Sequence, residues 1–314
     1  DNNTAVGYLA LTALTTGNAN VAVGSVSGDG LTDGHSNTSI GYGSLGVSTS
    51  AVSMVCIGRG AMGDDNITAD AIGSVAVGNR SLEALIDGIG NVAVGYQTLD
   101  ANQYSDYNTA VGHKALSGVT SSGTVGNTAI GYHAGVAITS GVGNTILGYA
   151  AADALTQGDD NVVIGKNALG DASTTDGIDK NVIIGAHAAD LWGGEAVEGA
   201  VIIGYTAGRN LEDEADNTVA IGTSALNALT SGANNTAVGY RALTASTTGD
   251  DNTAIGSQAA DALPAGADVN TAVGSGALGA ANNATADHNT CIGGAAGDVI
   301  TGGSQNTCIG STTD

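Results

Sequence analysis

The chain has 314 residues, among them 51 Gly, one Pro, one Trp and no Phe, which excludes a globular core anchored on aromatic side chains. Apolar residues nonetheless make up 42% of it, too many for a disordered Gly-rich linker, so a thin, regular core of small side chains is expected. A net charge of −23, with only seven Lys and Arg, argues against nucleic acid and anionic membranes as direct partners, and no apolar run is long enough for a membrane-spanning helix.

The first element is the phrase NTAVGYLAL at 3–11, which returns as NVAVGYQTL at 91–99, NTAVGHKAL at 108–116, NTAIGYHAG at 127–135 and NTAVGYRAL at 235–243. Aligned on its Gly, the phrase occurs eighteen times, from Gly7 and Gly24 through Gly95, Gly112 and Gly239 to Gly310. Ten of the seventeen spacings are 17 residues and the others 18 to 20, and the extra residues always fall between phrases, as in GDDNITADAIG at 63–73. A fixed length with insertions confined to one place describes a solenoid, in which each copy is one coil and loops absorb the slack. The fold class expected is all-β: a parallel β-solenoid of about 18 coils, as one repeat region over 1–314. The chain opens in mid-phrase at Asp1 and is read as a segment of a longer fibre.

Within each coil, Val, Ile or Leu stands one residue before the Gly and Thr or Val three before it. This density of β-branched residues favours a strand, on which those two positions share a face. The residue between them is Ala in ten copies, and Cys56, Cys291 and Cys308 also occupy it. Both strand faces are therefore apolar, the small one suited to close packing across the coil or against another chain. The face bearing Thr and Val is expected to be buried. After the Gly come a variable polar pair, a small residue and commonly Leu, read as a half-exposed outer strand. The Gly marks a bend that needs a positive φ or tolerates no side chain. Asn stands four before it in fourteen copies (Asn3, Asn20, Asn91, Asn108 and Asn235 among them), and these amides are expected to form a ladder along the axis.

Phrases such as GNTAIGYHAG, GNANVAVGS and DDNTAIGSQA resemble the YadA-like head repeats of trimeric autotransporter adhesins and related phage tail-fibre repeats. The resemblance covers essentially the whole chain, although the coils here are longer than is usual in that family. It implies a left-handed parallel β-roll, three chains about a common axis, and an attachment fibre outside the cell, on a bacterial or virion surface.

Departures from the phrase supply the candidate sites. Arg59, Arg80, Lys114, Lys166 and Arg241 follow the Gly by one or two positions, as a docking stripe for acidic glycans or as a solvated, charge-compensated face. GDDN at 63–66, 158–161 and 249–252 offers Asp64, Asp65, Asp159, Asp160, Asp250 and Asp251 as oxygen ligands for calcium. The Gly-Gly-x-Gly-x-Asp nonapeptide of calcium-binding solenoids is missing, which favours plain acidic turns. DANQYSDYN at 100–108 carries Tyr104 and Tyr107 off phase, and ADLWGGEAVEG at 189–199 carries Trp192. These aromatics read as exposed contacts for a sugar or protein, with Trp192 folded back over a coil edge as the alternative. The three Cys read as slightly large alanines, with a disulfide between neighbouring coils as the alternative for Cys291 and Cys308. His113 and His133 lie in nearby coils, within reach of one another, but exposed outer-strand histidines are the favoured reading.

No G-x-S-x-G, H-E-x-x-H or P-loop occurs, so neither catalysis nor a cofactor, calcium aside, is expected. The leading expectation is a homotrimeric attachment fibre that meets a surface glycan or protein receptor. A self-assembling extracellular filament or coat protein is the alternative. An ice-binding solenoid ranks lower, because its Thr rank would have to be exposed.

Overall fold

The computed structural model describes residues 2–311 except 65, 66, 69, 70, 172–176, 194–196, 213, 214, 282, 284 and 285. The chain forms two compact units, Asp1–Gln157 and Gly158–Asp314. Each is an all-β parallel solenoid with nine coil strands, and no helix occurs among the described residues.

Every coil strand is the three residues before the repeat Gly, as the β-branched pattern predicts. In the first unit, Thr4–Val6, Val21–Val23 and Thr38–Ile40 pair parallel and in register, Ala5 beside Ala22 and Ala22 beside Ser39. The second unit repeats this from Val162–Ile164 to Thr307–Ile309. Beside the 19- and 20-residue coils short second sheets form, Tyr104–Asp106 on Ser122–Thr124 and Ile178–Asp179 on Val197–Glu198, the first of these strands lying in a 17-residue coil.

The repeat Gly is required twice over. Gly112 has φ +136°, and a Cβ on it would lie 2.2 Å from the carbonyl oxygen of Gly131 in the next coil. Gly7, Gly24, Gly95 and Gly239 have the same geometry, with the next coil's Gly oxygen 2.2–2.5 Å from the added atom. Only a backbone without Cβ lets the coils stack this closely.

The Asn ladder forms as expected. Asn3 Oδ1 accepts the backbone N–H of Asn20 at 2.9 Å and its Nδ2–H at 3.1 Å, and Asn20 Nδ2 also donates to Gly34 O at 2.8 Å. The same bonds join Asn91 to Asn108 and Asn235 to Asn252. Where the rank lacks Asn the bond persists in part: Met54 N–H donates to Asn37 Oδ1, and Ser74 Oγ accepts from Asn91 N–H.

Two expectations are corrected. The small strand residue, not the β-branched pair, faces the core: Ala22, Cys56, Ala93, Ala110 and Ala237 are fully buried. The flanking Val, Ile and Thr point outward, and Val6, Ile40, Ile130, Leu147 and Ile255 are each more than a third exposed. The cause is crowding inside the coil. The buried residues four and seven after the Gly, such as Leu82 and Leu85, fill the space and in most coils leave room only for a small residue opposite. Volumes trade across this gap: Ala93 and Ala110 pair with Leu99 and Leu116, whereas Ile146, Ile183 and Ile202 pair with Ala152, Ala189 and Gly208.

The second correction concerns the half after the Gly, which is a run of turns and not an outer strand. Its backbone enters the left-handed region at the second and fourth residues after the Gly, as at Lys114 (φ 55°) and Leu116 (φ 50°). The amides still find partners, because Lys114 N–H donates to Tyr96 O at 2.9 Å and Leu116 N–H to Ala134 O at 3.1 Å. Hydrogen bonds between coils thus hold residues in a conformation costing about 1–2 kcal/mol each alone.

Candidate functional site

Two surfaces of the coil carry side chains that a partner can reach. The first is the outward strand face, with Thr or Val three before the Gly and Val, Ile or Leu one before it. None of these 36 positions in the eighteen copies is charged, on a chain of net charge −23. The second lies beyond the Gly bend, where successive coils stack whatever residues follow the Gly.

In the first unit that stacking builds a column of rings. Tyr96 and His113 stack at 5.0 Å between centroids, His113 and Tyr132 at 5.2 Å, and Tyr132 and Tyr149 at 4.9 Å. His133 lies 4.0 Å from Tyr132 and 5.5 Å from His113, so the two histidines do meet. Burial first, then His113 and Lys114, hold the His133 imidazolium below its usual range. Inside the column the ring faces are spent on one another, and among the described residues only the end rings Tyr96 and Tyr149 have a face without a ring partner.

The basic residues do not converge as one stripe. Lys114, Lys166 and Arg241 sit on separate coils, and none forms an ion pair among the described residues. Arg59 and Arg80 do share a site. The Arg59 guanidinium lies 6.0 Å from the Tyr42 ring centre, while Arg80 Nε donates to both oxygens of Glu83 at 2.6 Å. Together they line a cleft of about 410 Å³ that also includes Asp64. Burial, more than any other influence, raises the Glu83 carboxyl above its usual range, the Arg80 hydrogen bond opposes the rise, and Asp64 adds to it.

The acidic turns have a backbone role that the sequence reading missed. Asp250 Oδ1 accepts the N–H of Ala233 at 2.9 Å, and Asp250 N–H donates to Asp268 Oδ1 at 2.9 Å. Asp159 N–H likewise donates to Asp179 Oδ1 at 2.8 Å, and Asp106 caps Ile89. The recurring signal is Asp two residues before the ladder Asn, as in Asp106, Asp179, Asp250, Asp268 and Asp287. Asp160 and Asp251 take left-handed φ values of 56°, which Asp tolerates. Asp65 lies outside the described residues. Among those described, no three His, Cys, Asp or Glu side chains gather as a metal site.

Trp192 is corrected from exposed contact to core residue, for it is fully buried. It stands seven after Gly185, the rank that Leu31, Leu85, Leu155 and Leu229 fill in other coils, and its indole N–H has no partner among the described residues. Tyr104 and Tyr107 are exposed as expected.

The cysteines are free and two are fully buried. Cys56 meets Met62 Sδ at 3.2 Å, and burial pushes its thiol far up. Cys291, in register with Cys308, is pushed up to about 11, by burial first and then by its neighbour. Thiolate is the reacting species, so native Cys291 is expected to react with a disulfide reagent at about pH 8 roughly a hundredfold more slowly than a free thiol. Cys56 should be slower still, and both should react at once in denaturant. Rapid native labelling of Cys56 would contradict its place in the core.

The fold and these surfaces define a parallel β-solenoid repeat protein. No protein-family model matches the chain, and no curated protein matches it.

Proposed function

We propose that the chain is a non-enzymatic segment of a homotrimeric attachment fibre, displayed outside the cell on a bacterial or virion surface. In this reading each chain winds as a left-handed β-roll and presents its turn faces and inserts to a surface glycan or protein. The observation that carries it is the uncharged strand face. Parallel sheets are ordinarily covered on both sides, yet here Val, Ile and Thr point outward along a strongly acidic chain. Two sister chains about a common axis are the cover that fits.

Light scattering on the intact chain tests this, with a mass three times the 30.2 kDa of one chain expected. Ile130→Glu places a charge on the outward face and should give folded monomers. Open-ended polymers would favour the filament or coat alternative, and a stable wild-type monomer would end the fibre reading.

The outward face also supports a second reading. Ten of the eighteen positions three before the Gly, half of this face, are Thr, in ranks about 4.8 Å apart on a parallel sheet, as an ice-binding surface requires. The two readings need the same face, covered in one and bare in the other. Inhibition of ice recrystallisation by a monomer would decide for the second.

A further inference from the structure

The cleft between Tyr42 and Glu83 is cut by missing side chains. Two residues after the repeat Gly, neighbouring coils carry Val26, Arg80 and Gln97, but the third and fourth coils carry Gly43 and Gly60. A Cβ on Gly43 would meet no atom within 4 Å, and one on Gly60 would meet only Arg80 and Glu83 at 3.8 Å. Two successive vacant positions open a trough about 10 Å long, because coils are spaced by about 4.8 Å. The resulting 410 Å³ falls in the range of small-molecule sites.

The trough's walls differ in chemistry. On one side Tyr42, 59% exposed, carries the Arg59 guanidinium over its ring at 6.0 Å and offers the aromatic surface that Arg59 leaves uncovered. Arg59 forms no ion pair among the described residues, so its charge is available. On the other side Arg80 is neutralised by its two bonds to Glu83, and Asp64 stands next to that pair. The cleft therefore offers one unspent cation, one aromatic wall and carboxylate oxygens that accept hydrogen bonds. A polyanion such as a nucleotide triphosphate would meet Asp64 and Glu83 as well as the acidic chain. A polyol with a single negative charge meets complementary groups on both walls.

The geometry points to a binding site for a uronic-acid-type sugar. Its carboxylate pairs with Arg59, its apolar ring face lies against Tyr42, and its hydroxyls donate to Asp64 and Glu83. The site deepens the attachment reading and rests on it for the claim that the sugar belongs to a surface glycan. The site itself lies within the first unit of one chain.

The test is titration of the intact chain with glucuronate, with glucose as the neutral counterpart, followed by NMR of the Gly43, Gly60 and Gly63 amides. Glucuronate should bind with Kd of about 1 mM, and glucose at least about tenfold more weakly. Arg59→Gln should lower glucuronate affinity by about tenfold and leave the weak glucose response unchanged. Gly43→Asn fills the trough and should weaken both sugars without unfolding the chain, since Asn167 occupies the equivalent position of another coil at φ 52°. Equal binding of glucose and glucuronate would overturn the site, as would an Arg59→Gln variant of unchanged affinity. Inorganic sulfate competing as well as glucuronate would reduce it to a bare charge site and overturn the sugar assignment. Trimers without glucuronate binding would remove this cleft and keep the fibre, whereas monomers that bind glucuronate would keep the cleft and remove the fibre.

Discussion

Gly112→Ala should destabilise the first unit by about 3 kcal/mol or more, a large effect for a single methyl group and one shared by other repeat glycines. Two costs add. The φ of +136° is one that L-residues rarely take, and the new Cβ would lie 2.2 Å from Gly131 O, an atom of a neighbouring backbone that cannot rotate away. Relief requires parting two coils, and that lengthens the hydrogen bond by which Gly131 N–H reaches Val111 O, 2.8 Å in the native stack. Gly43→Ala is the matched control. It has φ +60° and open space around the added atom, so it should cost only about 1–2 kcal/mol. Denaturant unfolding followed by circular dichroism compares the two. Equal midpoints would mean that the close stacking at the bend contributes nothing.

Asn108→Asp should cost about 2–4 kcal/mol at neutral pH. Asn108 donates from Nδ2 to Asn91 Oδ1 at 3.1 Å and accepts from Asn127 N–H at 3.1 Å. A carboxylate keeps the second bond and turns the first into two facing oxygens, in a place with no solvent exposure. The folded-state pKa of the new acid must then rise above its unfolded value of about 3.9. The sign follows: below the unfolded pKa both states hold the proton and no charge penalty exists. The penalty grows as pH rises from there and is complete above the folded pKa. Stability of the variant relative to wild type should therefore recover on acidification towards about pH 4. A pH-independent loss would show that the Asn contributes shape rather than its amide donor.

The strand, the bend and the ladder were legible in the sequence because each rests on one residue type at one position, repeated in every coil. Sidedness was not. Ala and Val are both apolar, so alternation between them carries no polarity signal, and only the Leu82 and Leu85 ranks inside the coil decide that the smaller residue goes inward. The turn run was hidden for a different reason. Lys114, Leu116 and Arg241 are poor left-handed residues individually and adopt that conformation because neighbouring coils bond to them. The glycines that share those ranks (Gly43, Gly60 and Gly276 at one, Gly28 and Gly208 at the other) were the available sign. Counting seven residues on from Gly185 would have placed Trp192 among the core leucines. The contact of His113 with His133 was readable only in part, because the two stand one and two residues after their repeat Gly, so phase brings them near without aligning them. The Arg59 and Tyr42 cleft was only half readable, since it depends on two vacancies in adjacent coils and on Glu83 turning back to Arg80.

The dry setting of Trp192 gives the protein an optical label that nature has already placed. It is the sole indole of the chain and lies in the second unit, so blue-shifted emission reports that half alone. The column from Tyr96 to Tyr149 belongs to the first unit, and rings locked face to face give a near-ultraviolet dichroism that vanishes when the column loosens. One sample, read at two wavelengths, can thus reveal whether the halves melt together or in sequence.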